Sequence, residues 1–140
     1  MSGVLRLAPG LADAIREAAR QAYPEECCGL IQGTDAADGW IARAVYPAAN
    51  LAQDRRRRFL IDPQVQFGLM RRLRGTDARV IGCYHSHPGG ESAPSATDRA
   101  GAYEPGFLYL IAAGDPDRGF ALGAYRLDEA EGFVPVGCAQ

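Results

Sequence analysis

The sequence predicts an α/β fold in which helices pack on a mixed β-sheet. Short apolar runs rich in β-branched or aromatic residues, such as 79–84, recur between breaks marked by Gly and Pro. Polar turns at 34–39 and 114–117 join neighbouring runs as hairpins. Segments with helical spacing of apolar residues stand between the runs, so strands and helices are interleaved along one chain. At 140 residues the chain fits one domain, 1–140, and can bury roughly two-thirds of its unfolded surface without disulfides or a structural metal.

In chain order, a first strand over 4–7 precedes a helix over 9–23, where Leu11, Ile15, Ala18, Ala19 and Ala22 share one apolar side. Pro24 stops that helix. A strand over 27–33 follows, and 40–46 is its neighbour across the turn. Residues 58–61 read as a short further strand. Pro63 sits where a first helical turn tolerates it, and Val65, Leu69, Met70 and Leu73 form the apolar side of a helix closed by Gly75. Next comes the apolar run 79–84, ended after two histidines by Pro88-Gly89-Gly90. A helix over 95–103, strands over 107–112 and 120–127, and a weak last strand over 133–137 complete the pattern.

Composition excludes several classes of function. With 47% hydrophobic and 23% charged residues and a formal net charge of −2, the chain gives no global case for nucleic-acid or membrane binding. No apolar stretch is long enough to span a bilayer, and Arg6, Asp13, Arg16 and Glu17 interrupt the N-terminal apolar residues, so the chain reads as cytoplasmic. Cys27, Cys28, Cys83 and Cys138 lack C-x-x-C spacing and read as small buried hydrophobes. All 15 basic residues are arginine. No lysine side chain is therefore open to acylation by a ubiquitin-like modifier. Nothing in the chain specifies an oligomeric state.

Both histidines fall in His85-Ser86-His87, followed by Ser95 and Asp98. Residues two apart on a strand point to one side, so His85 and His87 can aim at a common ion while Ser86 points away. Asp98 can return through the loop as a third ligand. Two histidines and a carboxylate leave a fourth position for water, as in catalytic rather than structural zinc sites. A bland reading competes: Ser95-x-x-Asp98 resembles a helix capping box. It accounts for the serine and aspartate, but not for two histidines on one strand side just before the cap. A hydrolase also needs a proton carrier, and Glu25 and Glu26 are the candidates; as solvated charges at a helix end they need no such role.

Glu26-Cys27-Cys28-Gly29-Leu30, with His85-Ser86-His87-Pro88, Ser95 and Asp98, resembles the JAMM (MPN-plus) metalloprotease signature in order and spacing. The resemblance implies a cytidine-deaminase-like fold holding one Zn2+ per chain on His85, His87 and Asp98. It selects Glu26 over Glu25 as general base and then acid, and makes Ser95 a hydrogen-bond donor to the tetrahedral intermediate. Metal-activated water then needs no acylated serine. Many relatives carry tryptophan where this chain has Cys83, on the same strand side as the histidines. Cys83 can approach the metal, be oxidised near it, or simply pack beneath it.

The resemblance further implies cleavage of a peptide or isopeptide bond after the C-terminal Gly-Gly of a ubiquitin-like protein. The compact chain is most similar to small prokaryotic members acting on ubiquitin-like sulfur carriers. Cysteine, a peptide and a lysine side chain all stay open as leaving groups. A Gly-Gly tail can add as an extended strand beside the sheet. The run Arg55-Arg56-Arg57-Arg58 reads either as an exposed basic loop or as a patch attracting an acidic carrier. A metal-poor MPN-type scaffold is the alternative function, although such members generally lose ligand positions. A zinc deaminase would need H-x-E and P-C-x-x-C, and the chain has neither.

Overall fold

The structure, a computed structural model, describes residues 3–101 and 104–140. Its elements are β1 (Val4–Leu7), α1 (Leu11–Ala22), β2 (Cys28–Ala36), β3 (Gly39–Ala48), α2 (Pro63–Leu73), β4 (Arg79–Pro88), α3 (Ala96–Gly101), β5 (Leu108–Asp115), β6 (Gly119–Asp128) and β7 (Gly132–Ala139). The strands close into a ring in the order β1-β3-β2-β4-β5-β6-β7. The sheet is mixed, as predicted. β4 runs parallel to β5, β1 runs parallel to both β3 and β7, and the remaining pairs are antiparallel. Closure through β1 was not foreseen, because four residues pairing on both edges carry no periodicity that names their partners. Among the described residues no helix is long and apolar enough to cross a membrane.

Two apolar clusters hold the helices against the sheet. α1 buries Ala12, Ile15 and Ala19 among Leu5, Ile31, Ile81, Tyr84 and Leu110. α2 lies against the second cluster, built from Leu30, Leu69, Cys83, Phe107 and Tyr109 with Phe59 and Ile61 packed on it. The expected apolar side of α2 is only partly used: Leu69 is buried, but Val65 and Met70 are exposed. A helix anchored by one fully buried side chain gains only ~1.5–3 kcal/mol from that burial, so its ends matter. Asp62 accepts a hydrogen bond from the Gln64 amide at 2.9 Å, Pro63 opens the first turn, and Gly75 takes a positive φ of 81° just after Arg74.

A β-bulge in β4 sets which side chains reach the second cluster. Gly82 pairs with Ile31 and Val80 with Gln32, leaving Ile81 as an extra residue. The interruption restarts the alternation, so Ile81 and Tyr84 face the α1 cluster while Cys83 joins the α2 cluster. Gly29, paired with Tyr84, is required by that ring, since a Cβ there would lie 2.4 Å from three of its atoms.

Three sequence expectations are corrected. Residues 58–61 form no strand. The Asn50 side chain replaces a ladder partner: its amide donates to the Arg58 carbonyl at 3.0 Å and its oxygen accepts from Leu60 at 3.1 Å. β2 and β3 extend to Ala36 and from Gly39, so the turn between them is shorter than the polar composition suggested. Cys27 and Cys138 are only partly buried, whereas Cys28 and Cys83 are buried, and all four are free thiols. The expected end of the third helix at residue 103 lies outside the described residues.

Candidate metal centre

With the alternation restarted at Ile81, β4 delivers His85 and His87 to the α2 side and Ser86 to the α1 side. His85 is fully buried and stacks on Phe59 at 4.4 Å between ring centroids. Ser86 is equally buried, and its hydroxyl accepts a 2.7 Å bond from the Cys27 amide while its own amide donates to the Cys27 carbonyl. These bonds continue the β2–β4 register from Cys28↔His85, so the next step brings Glu26 level with His87. Glu25, by contrast, is tied to Arg55 at 3.2 Å.

Asp98 comes from the first turn of α3. The Ser95 hydroxyl accepts from the Asp98 amide at 3.0 Å, and Asp98 Oδ2 accepts from the Ser95 amide at 2.9 Å. That is a helix cap, as the bland reading expected. The same Oδ2 lies 3.2 Å from His85 Nε2 and 2.9 Å from His87 Nε2, and the two ring nitrogens are 3.1 Å apart. The cap therefore orients the aspartate toward the histidines, and the two readings are compatible.

Three donor atoms this close fit one ion. Tetrahedral zinc with ligands at roughly 2.0–2.1 Å needs separations of about 3.3 Å, near the 2.9–3.2 Å found. The His87 Nδ1–H donates to the Glu91 carbonyl at 2.7 Å, a tautomer assigned from the geometry that leaves the Nε2 lone pair facing the other donors. Burial pushes His85 below its ordinary value, against the pull of Asp98. Burial also works to lower His87, but hydrogen bonds to Asp98 and the Glu91 carbonyl leave it raised. Burial works to raise Asp98, yet its bonds to both histidines hold it well below the carboxylate range.

Glu26 is buried, with 4% of its surface exposed, and its Oε1 has no hydrogen-bond partner among the described residues. Burial is the main cause that pushes its carboxyl up to about 8; His87 opposes, and Asp98 and Asp54 add to the rise. Its amide donates to the Arg55 carbonyl at 2.7 Å and its carbonyl accepts from Asn50 at 3.1 Å. Glu26, His87 and Ser95 line one open cleft together with Arg56 and Arg57. On the other flank of the centre an apolar cavity of ≈ 190 Å³ is bounded by Asp98, Phe59, Cys83 and Tyr109. Cys83 packs there, and burial raises its thiol far above the ordinary value.

All five predicted site residues thus gather around one point or its cleft. Sequence reading missed Phe59, which stacks on His85, and Asn50, which shapes the adjacent loop. An asparagine before a Pro- and Gly-free loop is a faint signal for such a bridge. Phe59 gave none, because its role depends on a neighbour 26 positions along the chain.

A strand-borne histidine pair meeting a helix-borne carboxylate is the ligand arrangement that the JAMM resemblance implies. The backbone agrees: a JAB1/MPN domain protein from Archaeoglobus fulgidus matches with a TM-score of 0.58 over 97% of both chains, and at 20% identity that likeness is one of fold alone. The chain belongs to the prokaryotic homologs of the JAB domain, whose family profile matches residues 8–126. It is 35% identical over 118 residues to desampylase of Haloferax volcanii, covering 81% of this chain and 84% of that protein. It is 31% identical over 125 residues to the CysO-cysteine peptidase of Mycobacterium tuberculosis, covering 89% and 83%. A solution structure of a Desulfitobacterium hafniense protein has a TM-score of 0.82 at 29% identity, covering 96% of this chain and 90% of that one.

Proposed function

We propose that the whole chain, 1–140, is a cytoplasmic zinc-dependent hydrolase that cleaves the amide bond after the C-terminal Gly-Gly of a ubiquitin-like or sulfur-carrier protein. The observation that carries the reading is the convergence of His85 Nε2, His87 Nε2 and Asp98 Oδ2 beside an unpartnered Glu26 oxygen. The relatives named for desampylation and for peptidase action on CysO-cysteine support the carrier class.

His85, His87 and Asp98 would hold the zinc, one per chain. When bound, zinc supplies Lewis acidity and lowers the pKa of water. Glu26 takes a proton from the attacking water and passes it to the leaving nitrogen, for which its buried, unpartnered Oε1 is suited. A cation beside Glu26 would offset part of the rise that burial imposes. Ser95 keeps its hydroxyl hydrogen free, because its oxygen acts as acceptor in the helix cap, and can donate to the developing oxyanion.

The segment around Phe59 suits the acyl side. Its Arg58 carbonyl and both backbone groups of Leu60 are satisfied by Asn50 and Leu51, whereas the amides and carbonyls of Phe59 and Ile61 make no hydrogen bond among the described residues. That open edge can pair with a Gly-Gly tail, and glycine permits close passage beside the buried rings.

Metal analysis together with mass-spectrometric cleavage of a Gly-Gly carrier bearing a C-terminal extension tests the reading. One zinc per chain, lost in His87→Ala, with the cut after Gly-Gly is the expected result. A zinc-loaded protein that leaves every carrier adduct intact would remove it, and a protein that binds no zinc would favour a scaffold.

A further inference from the structure

The two hollows flanking the histidine–aspartate centre differ in polarity. The cavity beside Asp98 is walled mainly by Leu30, Phe59, Phe107 and Tyr109, with Arg58 and Glu104 at its lining. The cleft beside His87 is lined by Glu26, Glu91, Arg56 and Arg57. We infer that Arg56 and Arg57 bind the carboxylate of the leaving group, so that the preferred substrate is a carrier capped by a single α-amino acid rather than one joined to a lysine side chain. The inference rests on the hydrolase reading above and specifies its amine side.

Position is the first argument. Glu26 hands the proton to the leaving nitrogen, so the cleft containing it is where that nitrogen departs. The turn bearing the two arginines is fastened to Glu26: the Glu26 amide donates to the Arg55 carbonyl at 2.7 Å. The Asp54 carbonyl accepts from the Arg57 and Arg58 amides at 3.2 and 3.1 Å, which fixes the turn.

Unused charge is the second. Arg55 is engaged by Glu25, but the side chains of Arg56 and Arg57 make no ion pair or hydrogen bond among the described residues. Two like charges lining one cleft repel; Glu26 and Glu91 line it too but form no ion pair with them among the described residues, so an incoming anion relieves the repulsion. Neither contributes to packing, since both are exposed.

Leaving-group chemistry decides the rest. Hydrolysis breaks the bond between the glycine carbonyl carbon and the nitrogen; water supplies OH to the carbon and H to the nitrogen, with no change in oxidation state. In an α-amino acid the carboxylate carbon lies two bonds from that nitrogen, and its planar oxygens match a guanidinium fork. A longer peptide offers only a neutral carbonyl at that place. A lysine side chain departs as an ammonium with no carboxylate nearby, which two guanidiniums disfavour.

The experiment compares zinc-loaded protein on two substrates: a Gly-Gly carrier ending in one amino acid with a free carboxylate, and the same carrier ending in that amino acid's carboxamide. The kcat/KM ratio of carboxylate to carboxamide is expected to be about tenfold or more in the wild type and to fall near one in Arg56→Gln/Arg57→Gln. Because both side chains are exposed, that variant keeps the fold. A wild-type ratio near one overturns the inference. So does an equal loss on both substrates in the variant, which would instead assign the arginines to the carrier's folded domain. If the wild type cuts neither substrate, the hydrolase reading fails and the inference falls with it.

Discussion

Ser86 and His85 are neighbours on β4 and both are fully buried, yet the two sides of the strand treat polar atoms differently. On the α1 side, the Ser86 hydroxyl is matched at 2.7 Å by the Cys27 amide. On the other side, His85 Nδ1 and Glu26 Oε1 are the buried side-chain atoms left without partners among the described residues. An unmatched buried polar atom costs about 1–3 kcal/mol, so two on one side are a burden that packing by Phe59 and its cluster must offset. The contrast teaches that satisfied polar groups fix the register, while unsatisfied ones mark where chemistry is expected.

The sharpest test of that division is Glu26→Gln. Replacing the proton carrier but keeping its shape should retain zinc and lower kcat about 10²–10⁴-fold on a Gly-Gly carrier. Loss of zinc together with activity would place Glu26 on the structural side and break the comparison.

The same residue predicts a pH effect of intermediate size in metal-free protein. Burial holds Glu26 up to about 8 from its ordinary 4.5, so the folded chain keeps a proton that the unfolded chain releases. Its contribution is complete below about pH 4.5 and is lost as the pH rises to about 8. Urea unfolding of the wild type should therefore show stability declining across that window by an amount on the order of a few kcal/mol, and Glu26→Gln should flatten the decline. Parallel profiles for the two proteins would contradict the assignment.

The smallest expected effect comes from the satisfied side. Ser86→Ala strips the Cys27 amide of its side-chain partner and should cost about 1–3 kcal/mol by denaturation while leaving zinc stoichiometry at one. A Ser86→Ala protein that folds normally yet fails to bind zinc would show that the two sides are not separable.

Much of the site was legible because its chemistry is local. His85 and His87 share a strand side by period alone, and Ser95 with Asp98 announce a helix start. Glu26 became selectable only through the family resemblance, since register with β4 depends on a strand 50 or more positions away. The extra residue Ile81 was invisible for a related reason: a bulge is defined by the partner strand, and Val80-Ile81 reads as ordinary apolar sequence. Residues 58–61 misled in the opposite sense. Their composition suits a strand, but Asn50 and Leu51 took the hydrogen bonds on one edge and no described residue paired with the other.

Closure of the sheet through β1 gives that unpaired stretch a wider meaning. Each described strand has a neighbour on either side over part of its length, with β1 covering only Gly39–Ala42 of β3 and Gly137–Ala139 of β7, so an extended peptide approaching this molecule has a limited choice of open edges. Phe59 and Ile61 offer one, and it lies against His85. A strand circle closed by so short a member thus narrows a loose tail's search: by shortening the competing edges, it favours the segment beside the histidines.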